Sequence, residues 1–210
     1  MMTTPIGILL SGRGSNFLAV HAAIERGEIP ARVVLVVSNL SEAPGLAKAR
    51  ELGLPAVAIP HQGTPRRAHE EKVIAALREA GAEWICLAGY MRLLSLDFIA
   101  AFRQRIVNIH PSLLPAFPGL DAQAQALAHG VMVSGCTVHL VDEGLDSGPI
   151  VVQRAVPVLD GDTERTLAAR ILETEHQAYP EALRRLLTEP WTVEGRRLLF
   201  GSSSSRPGLE

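Results

Sequence analysis

The sequence lacks the features of a secreted or membrane-spanning protein. It has only two cysteines, Cys86 and Cys136, which form neither a CxxC pair nor a metal-ligand spacing. We therefore expect two buried thiols in a reducing cytoplasm. No apolar run approaches the roughly 20 residues that cross a bilayer. The first apolar run is five residues long and follows no basic residue, so we expect no signal peptide and no membrane partner.

Excess charge is also missing. The formal net charge is −2, from 20 basic and 22 acidic residues, which gives no basic surface for nucleic acid. Hydrophobic residues make up 47% of the chain, enough for a sizeable core. Length and composition predict a single domain over residues 1–200, followed by a disordered polar tail, GSSSSRPGLE, at 201–210.

Short apolar runs that alternate with helix-period segments predict the fold. Seven runs are expected to be strands, at residues 6–10, 32–38, 55–60, 84–90, 105–110, 135–141 and 150–158. Helical patterns between the first five indicate a doubly wound α/β fold, with a mostly parallel sheet and helices on both faces. The last strands follow each other without a helix, which predicts an antiparallel C-terminal edge. A final helix is predicted over 163–188, with Thr163 as N-cap and a kink or interruption at Pro180.

The first candidate site is the loop SGRGSN, residues 11–16, between the first strand and the first helix. Its glycines allow successive backbone N–H groups to converge on one anion at a helix N-terminus. It is not a dinucleotide fingerprint, because Phe17 takes the third glycine position and the second strand ends in Asn39. We predict a site for one phosphate monoester; the alternative is an ordinary tight turn with Asn16 as helix N-cap.

The second candidate site is VNIHPSLLPAFPGL, residues 107–120. Asn108 and His110 lie two residues apart, hence on one face of a strand that ends where ligands bind in such sheets. Three prolines then stiffen the loop. The later segment DEGLDSGPI carries Asp142, Glu143 and Asp146, and a carboxylate against His110 would raise its pKa and keep it a proton donor.

An amide, an imidazole and a carboxylate together suit a tetrahedral oxyanion. The chain has no GxSxG serine and no activated cysteine, so direct acyl transfer between two bound substrates fits better than a covalent acyl-enzyme. The other histidines show no ligand spacing such as HExxH, and we therefore expect no metal.

A resemblance to a known family rests on five segments, which are, in chain order, SGRGSN, LAGYMRLLS, NIHPSLLPAFPGL, GCTVHLVDEGLDSGPIVVQ and VPVLDGDT. Together they closely resemble the folate-dependent phosphoribosylglycinamide formyltransferases of purine synthesis, over roughly residues 6–190. NIHPSLLP is shared across the wider formyltransferase superfamily, whereas its combination with SGRGSN and FPGL is more specific. The resemblance implies that 10-formyltetrahydrofolate, as co-substrate, donates a formyl group to the amine of glycinamide ribonucleotide. We also expect a cytoplasmic protein that is either a monomer or a homodimer.

The resemblance also implies a role for individual residues. Asn108 and His110 would stabilise the tetrahedral intermediate, and Asp146 would raise the pKa of His110 and assist proton transfer. The ribonucleotide would be held by Gly14, Ser15, Asn16 and Glu175. The folate would contact Arg67, with Arg66 as the alternative. It would also contact Asn108 and the segments at 91–94 and 141–146, including Met91, Arg92, Leu93, Leu94, Val141 and Glu143.

Glu175 also has support from the helical pattern. It occupies one stripe with apolar residues at helical spacing, namely Leu167, Ile171, Ala178 and Ala182. A carboxylate on an apolar stripe needs a partner; the alternative is an edge position that reaches solvent. Two positions depart from the family pattern: Gln123, where a histidine is usual, and Ala116, where some members carry lysine. Both lie in substrate-side loops, so they affect the expected affinity more than the reaction type.

Three other functions compete with this one. Methionyl-tRNA formyltransferases share the NIHPS-type loop but need a tRNA-binding domain and a basic surface. Formyltetrahydrofolate hydrolases need only the folate half of the site and usually carry a regulatory N-terminal domain. A non-catalytic nucleotide- or folate-binding module would be expected to lack Asn108, His110 or Asp146, and all three are present.

Overall fold

The apolar runs of the sequence pair into one mixed β-sheet. A computed structural model describes residues 3–201; except for Gly201, the predicted tail lies outside them. The elements in chain order are β1 (Thr4–Leu10), α1 (Ser15–Glu25), β2 (Ala31–Ser38), α2 (Pro44–Glu51), β3 (Ala56–Ala58), α3 (Arg66–Glu79), β4 (Trp84–Leu87), α4 (Leu96–Ala101), β5 (Ile106–His110), α5 (Ala122–Ala128), β6 (Val133–Leu140), β7 (Ile150–Pro157), α6 (Glu164–Thr188), β8 (Trp191–Glu194) and β9 (Arg197–Phe200).

The sheet confirms the predicted topology. Within the described chain its strand order is β3-β2-β1-β4-β5-β6-β7-β9-β8. The first five strands are parallel. β6 is antiparallel to both β5 and β7. The catalytic candidates on β5 therefore lie where the sheet changes from parallel to antiparallel pairing.

Helices cover both faces because the strands are apolar on both faces. On β1, Ile6, Ile8 and Leu10 belong to a core that includes residues of α1 and α6. Leu9, between them, belongs to a second core with residues of α3 and α4. This alternation follows from the period-2 geometry of a strand. Full burial of each such side chain contributes about 1.5–3 kcal/mol.

Two strands are shorter than predicted, and one hairpin was not predicted. β3 has three residues, Ala56–Ala58, between Pro55 and Pro60. β4 ends at Leu87 because the chain turns at Gly89, whose φ is +75°. The unpredicted strands, β8 and β9, form an antiparallel hairpin at the edge of the sheet.

Helix α6 confirms the predicted cap but contains no interruption. The Thr163 hydroxyl accepts from the Thr166 N–H at 3.3 Å and forms a capping box with it. The helix then runs through Pro180 as one element to Thr188, so the predicted interruption is wrong. The proline lacks one backbone donor. Its neighbours Tyr179, Ala182 and Leu183 are fully buried against the sheet, and this packing holds the helix together.

Candidate active site

Strand β5 ends in an imidazole held between two oxygens. His110 is buried, and its Nε2 donates to the carbonyl oxygen of Phe117 at 2.8 Å. Its Nδ1 lies 3.4 Å from Oδ2 of Asp146. Because Nε2 carries the hydrogen of the neutral ring, a second proton would enter at Nδ1, facing the carboxylate. The geometry therefore brings together the predicted His110–Asp146 pair.

The loop around Asp146 fixes this carboxylate. Oδ2 of Asp146 also accepts from the Gly119 N–H at 2.8 Å, so the carboxylate joins the proline-rich loop to the segment after β6. Asp146 has a φ of +48°, in the left-handed region that few residues other than glycine adopt. The surrounding contacts thus hold an unfavourable backbone conformation that directs the side chain toward His110.

A second histidine, which the sequence interpretation missed as a site residue, orients Asn108. His139 on β6 is the register partner of Asn108, and its Nε2 lies 3.2 Å from Asn108 Nδ2. Its Nδ1 donates to the Leu140 carbonyl at 3.0 Å, so Nε2 accepts from the amide. Burial lowers the pKa of His139, against the opposing effects of its hydrogen bond to Leu140 and of nearby Asp146. The lowered pKa keeps the ring neutral. One Asn108 N–H is used, and the other remains for a substrate oxygen.

The first loop ends at the N-terminus of α1. Gly14 is the N-cap and has a φ of +73°. A Cβ added there would lie 3.1 Å from the Gly45 Cα, so the position requires glycine. The helix begins at Ser15, and its first intrahelical bond runs from the Leu18 N–H to Gly14 O. The alternative with Asn16 as N-cap is therefore wrong, because the Gly14 backbone takes that place.

Asn16 instead joins the first loop to helix α6. Its Nδ2 donates to Glu175 Oε2 at 2.7 Å, and both residues are buried. Burial raises the pKa of Glu175, while the Asn16 hydrogen bond acts in the opposite direction. The stripe predicted on α6 is buried throughout: Leu167, Ile171, Ala178 and Ala182 are each 0% exposed. Glu175 is thus not an edge residue that reaches solvent.

The loop after β4 is exposed and held by its main chain. Met91 and Leu93 are 68% and 65% exposed. The Met91 N–H donates to the Ser11 hydroxyl at 2.9 Å, and the Ser11 N–H donates to Gly89 O at 3.0 Å. The Ser11 hydroxyl in turn donates to Asn39 Oδ1 at 2.6 Å. Ser11, at the start of the SGRGSN loop, therefore links the two predicted substrate loops directly.

The two candidate arginines at the start of α3 point in different directions. Arg66 Nη2 donates to the Leu93 carbonyl at 2.8 Å. Arg67 pairs with Glu71 at 3.0 Å, and its side chain is 82% exposed. The geometry therefore places Arg66, and not Arg67, at the Met91–Leu94 loop.

The second predicted folate segment, residues 141–146, is partly exposed. Val141 is half-buried and donates its N–H to Ile106 O at 2.9 Å, whereas Glu143 is exposed.

A metal cluster and a membrane-spanning helix are both absent from the described residues. Over residues 3–201, no cluster of three or more His, Cys, Asp or Glu side chains is arranged to hold a metal ion. In the same range no helix combines the length and apolarity needed to cross a membrane. Cys86 and Cys136 are buried free thiols, as predicted, and burial raises their pKa values to about 12 and about 11.

Known proteins are similar to this chain in both sequence and fold. The formyl transferase family matches residues 5–183. A phosphoribosylglycinamide formyltransferase from Bacillus subtilis (strain 168) is 41% identical over 181 residues, covering 86% of this chain and 93% of the relative. A trifunctional purine biosynthetic protein adenosine-3 from Drosophila pseudoobscura pseudoobscura is 49% identical over 85% of this chain. The chain spans only 13% of that longer protein.

Solved structures agree with these relatives. Glycinamide ribonucleotide transformylase 1 from Symbiobacterium toebii has a TM-score of 0.92 and 48% identity, covering 95% of this chain and 94% of that one. A formyltetrahydrofolate deformylase from Pseudomonas syringae pv. tomato str. DC3000 has a TM-score of 0.89 but 22% identity, so it shares the fold alone. The chain therefore belongs to the formyl transferase family, and the Bacillus subtilis relative of similar length is a phosphoribosylglycinamide formyltransferase.

Proposed function

We propose that the chain transfers the formyl group of 10-formyltetrahydrofolate to the amine of glycinamide ribonucleotide, in purine synthesis. The observation that carries this proposal is the position of Asn108, His110 and Asp146 beside two loops of different character. One loop ends at a helix N-terminus, and the other is an exposed apolar loop; Ser11 links them. A site for two substrates needs two such surfaces on either side of one reacting centre.

The ribonucleotide binds on the SGRGSN side. Its phosphate accepts from the free N–H groups at the start of α1, where the helix dipole also favours an anion. Gly14 allows the close backbone approach, and Ser15 and Asn16 lie in the first turn. Glu175 contacts the ribonucleotide from α6, held in place by its hydrogen bond to Asn16.

The folate binds between the Met91–Leu94 loop and the segment from Val141 to Asp146. Main-chain groups of both segments contact the polar edge of the pterin, and the exposed side chains of Met91 and Leu93 offer apolar surface. Arg66 replaces Arg67 as the folate-contacting arginine, because its guanidinium is already at Leu93. Such a site combines apolar surface with a few placed polar groups, as small-molecule sites usually do.

The reaction is a direct acyl transfer. The ribonucleotide amine attacks the formyl carbon, a C–N bond forms, and the formyl oxygen becomes an oxyanion. The free N–H of Asn108 and the Nε2–H of His110 stabilise that oxyanion, which competes with Phe117 O for the imidazole hydrogen. The attacking nitrogen then loses a proton through the His110–Asp146 pair, and N10 of the folate gains a proton. The formyl C=O re-forms from the oxyanion as the C–N10 bond breaks.

One assay tests this function against its rivals. The folate absorbance is followed with purified protein and 10-formyltetrahydrofolate, with and without glycinamide ribonucleotide. We expect turnover only with the ribonucleotide, and a formylated ribonucleotide in the mass spectrum. Turnover without it would indicate a hydrolase, and formylated methionyl-tRNA in a parallel reaction would indicate the tRNA enzyme.

Three further properties stay predictions from the sequence. We propose a cytoplasmic location, activity without a metal ion, and a monomeric or homodimeric state. Activity should survive EDTA treatment followed by gel filtration, and light scattering on the same column gives the oligomeric state. Activity lost with EDTA and restored by a divalent metal would contradict the second prediction.

A further inference from the structure

Helix α3 begins with two Arg–Glu pairs of the same spacing. Arg66 Nε lies 3.3 Å from Glu70 Oε1, and Arg67 Nε lies 3.0 Å from Glu71 Oε1, both at i,i+4. The environments differ: the Glu70 side chain is 5% exposed and that of Glu71 is 63% exposed. An exposed pair of this kind contributes little to stability. The buried carboxylate of Glu70 needs another explanation.

Glu70 bonds to the end of the Met91–Leu94 loop. Its Oε1 accepts from the Ser95 N–H at 3.1 Å, and its partner Arg66 donates to Leu93 O at 2.8 Å. Ser95 then caps α4, accepting from the Phe98 N–H at 3.2 Å. One carboxylate thus fixes the backbone at both Leu93 and Ser95, while Ser11 fixes the other end of the loop at Met91.

Local stability does not account for this carboxylate. Oε2 of Glu70 is buried without a hydrogen-bond partner among the described residues, and Arg66 is half-exposed. Neighbouring His69 adds no positive charge, because burial lowers its pKa, although its bond to Ile59 O acts against the shift. A buried charge with incomplete partners usually costs stability. Its evident effect is on the shape of the loop.

We propose that Glu70 is a positioning residue for the folate half of the site. It holds the Arg66 guanidinium and the main chain from Leu93 to Ser95 in the geometry that binds the formyl-folate. Glu70 itself touches no substrate, since it is buried behind the loop. This inference rests on the proposed function, because it assigns the loop to the folate.

The test compares Glu70→Gln with Glu71→Gln, the matched pair on the same helix. Steady-state KM values for both substrates, kcat, and the melting temperature are measured for each variant. Binding of folinic acid, which carries its formyl group on N5, is measured separately by calorimetry. For Glu70→Gln we expect the folate KM and the folinic acid Kd to rise about tenfold. The neutral amide oxygen can still accept from Ser95, but it loses the charge-assisted bond to Arg66 and so holds the loop less firmly. The ribonucleotide KM and kcat at saturating folate should stay within about twofold.

The control and the contrary outcomes are defined by the same measurements. Glu71→Gln should leave every value unchanged. Folate affinity unchanged in Glu70→Gln, or equal weakening of both substrates, would overturn the proposal. If Glu70→Gln does not fold, Glu70→Asp, which keeps the charge but is too short to reach both partners, is tested with the same expectation. Failure of both variants to fold would assign Glu70 a purely structural role. Wild-type protein without formyl transfer, but with Glu70-dependent folinic acid binding, would instead refute the reaction alone.

Discussion

The proposed site is a cleft with two halves, one for the ribonucleotide and one for the folate, and the two halves are built differently. On the ribonucleotide side, Asn16 and Glu175 are buried side chains that bond to each other between helices α1 and α6. On the folate side, Met91 and Leu93 are exposed, and the loop is fixed through its main chain by Ser11, Arg66 and Glu70. In the proposed site, the first half is preorganised by side chains assigned to the ligand itself, and the second by residues behind the loop.

This difference separates the effects of mutation. Changes on the ribonucleotide side should alter the affinity for one ligand directly. Changes on the folate side should act mainly through residues that never touch the ligand. The centre at Asn108, His110 and Asp146 belongs to both halves, and it should affect turnover without favouring either substrate.

The largest effect is expected at this shared centre. Asn108→Ala removes one preorganised oxyanion donor, and Asp146→Asn removes the carboxylate beside His110; each should reduce kcat by about 10²–10³. Separate titrations should show both ligands binding with nearly unchanged affinity. Asp160→Asn, at an exposed position, is the control. Wild-type turnover in Asp146→Asn would remove that residue from the mechanism.

The next effect tests the backbone of the ribonucleotide half. Gly14→Val places a β-branched residue where φ is +73° and a Cβ meets Gly45, so the loop must shift away from the phosphate. Ribonucleotide affinity should fall about 30-fold, equivalent to about 2 kcal/mol. The dephosphorylated riboside should be little affected, and Gly161→Ala, where a Cβ meets nothing within 4 Å, should bind normally. Equal weakening of both ligands would show that the loop is only structural.

A smaller effect is expected at Glu175. Glu175→Gln keeps the shape but removes the charge, so the ribonucleotide should bind about tenfold more weakly through the loss of a charge-assisted hydrogen bond. Folate affinity should not change, because the residue belongs to the other half. If ribonucleotide affinity stays at the wild-type value, Glu175 is not part of the site.

The same variant has a defined pH dependence of stability. Because burial raises the pKa of Glu175 above its ordinary value of 4.5, ionisation of the folded protein costs free energy. The wild type should therefore lose stability relative to Glu175→Gln as the pH rises above 4.5 and through the raised value. Melting temperatures of the two proteins across this range measure the gap. A wild type that gains stability relative to Glu175→Gln as the pH rises would show the opposite shift.

The smallest effect is expected where the two halves are joined. Ser11→Ala removes both hydrogen bonds of the hydroxyl, the one accepted from the Met91 N–H and the one donated to Asn39 Oδ1. The bond that reaches the loop is the one to Met91, a neutral hydrogen bond worth about 1 kcal/mol. We expect kcat/KM to fall about fivefold, with each ligand alone binding nearly as before. Ser38→Ala is the matched control, since its hydroxyl also accepts a backbone N–H at a strand end, from Leu40 at 3.1 Å. Equal losses in both variants would deny Ser11 a special role.

Patterns within single elements were readable from the sequence. Asn108 and His110 could be placed on one strand face by a period of two, and Glu175 on the buried stripe of α6 by helical spacing. Both placements depend only on neighbours within one element. The hairpin of β8 and β9 was missed because each strand has only four residues, and only β8, WTVE, alternates apolar and polar residues.

Two relations between elements could not be read from the periodicity of the sequence. His139 reaches Asn108 through the register of β5 against β6, which no periodicity within one strand specifies. Arg66 and Arg67 differ by one position at the start of α3, and one residue rotates a helical side chain by about 100°. The choice between them therefore needed the packing of α3 against the Met91–Leu94 loop.

The exposed apolar side chains of that loop have a thermodynamic consequence. Covering Met91 and Leu93 removes hydrocarbon from water, so folate association should have a negative heat-capacity change. Ribonucleotide association buries mainly charged and polar groups, and its enthalpy should vary much less with temperature. Higher ionic strength should weaken the binding of the phosphate-bearing ribonucleotide more than the binding of the folate. Calorimetry at several temperatures and salt concentrations would thus distinguish the two halves of the cleft in the wild-type protein.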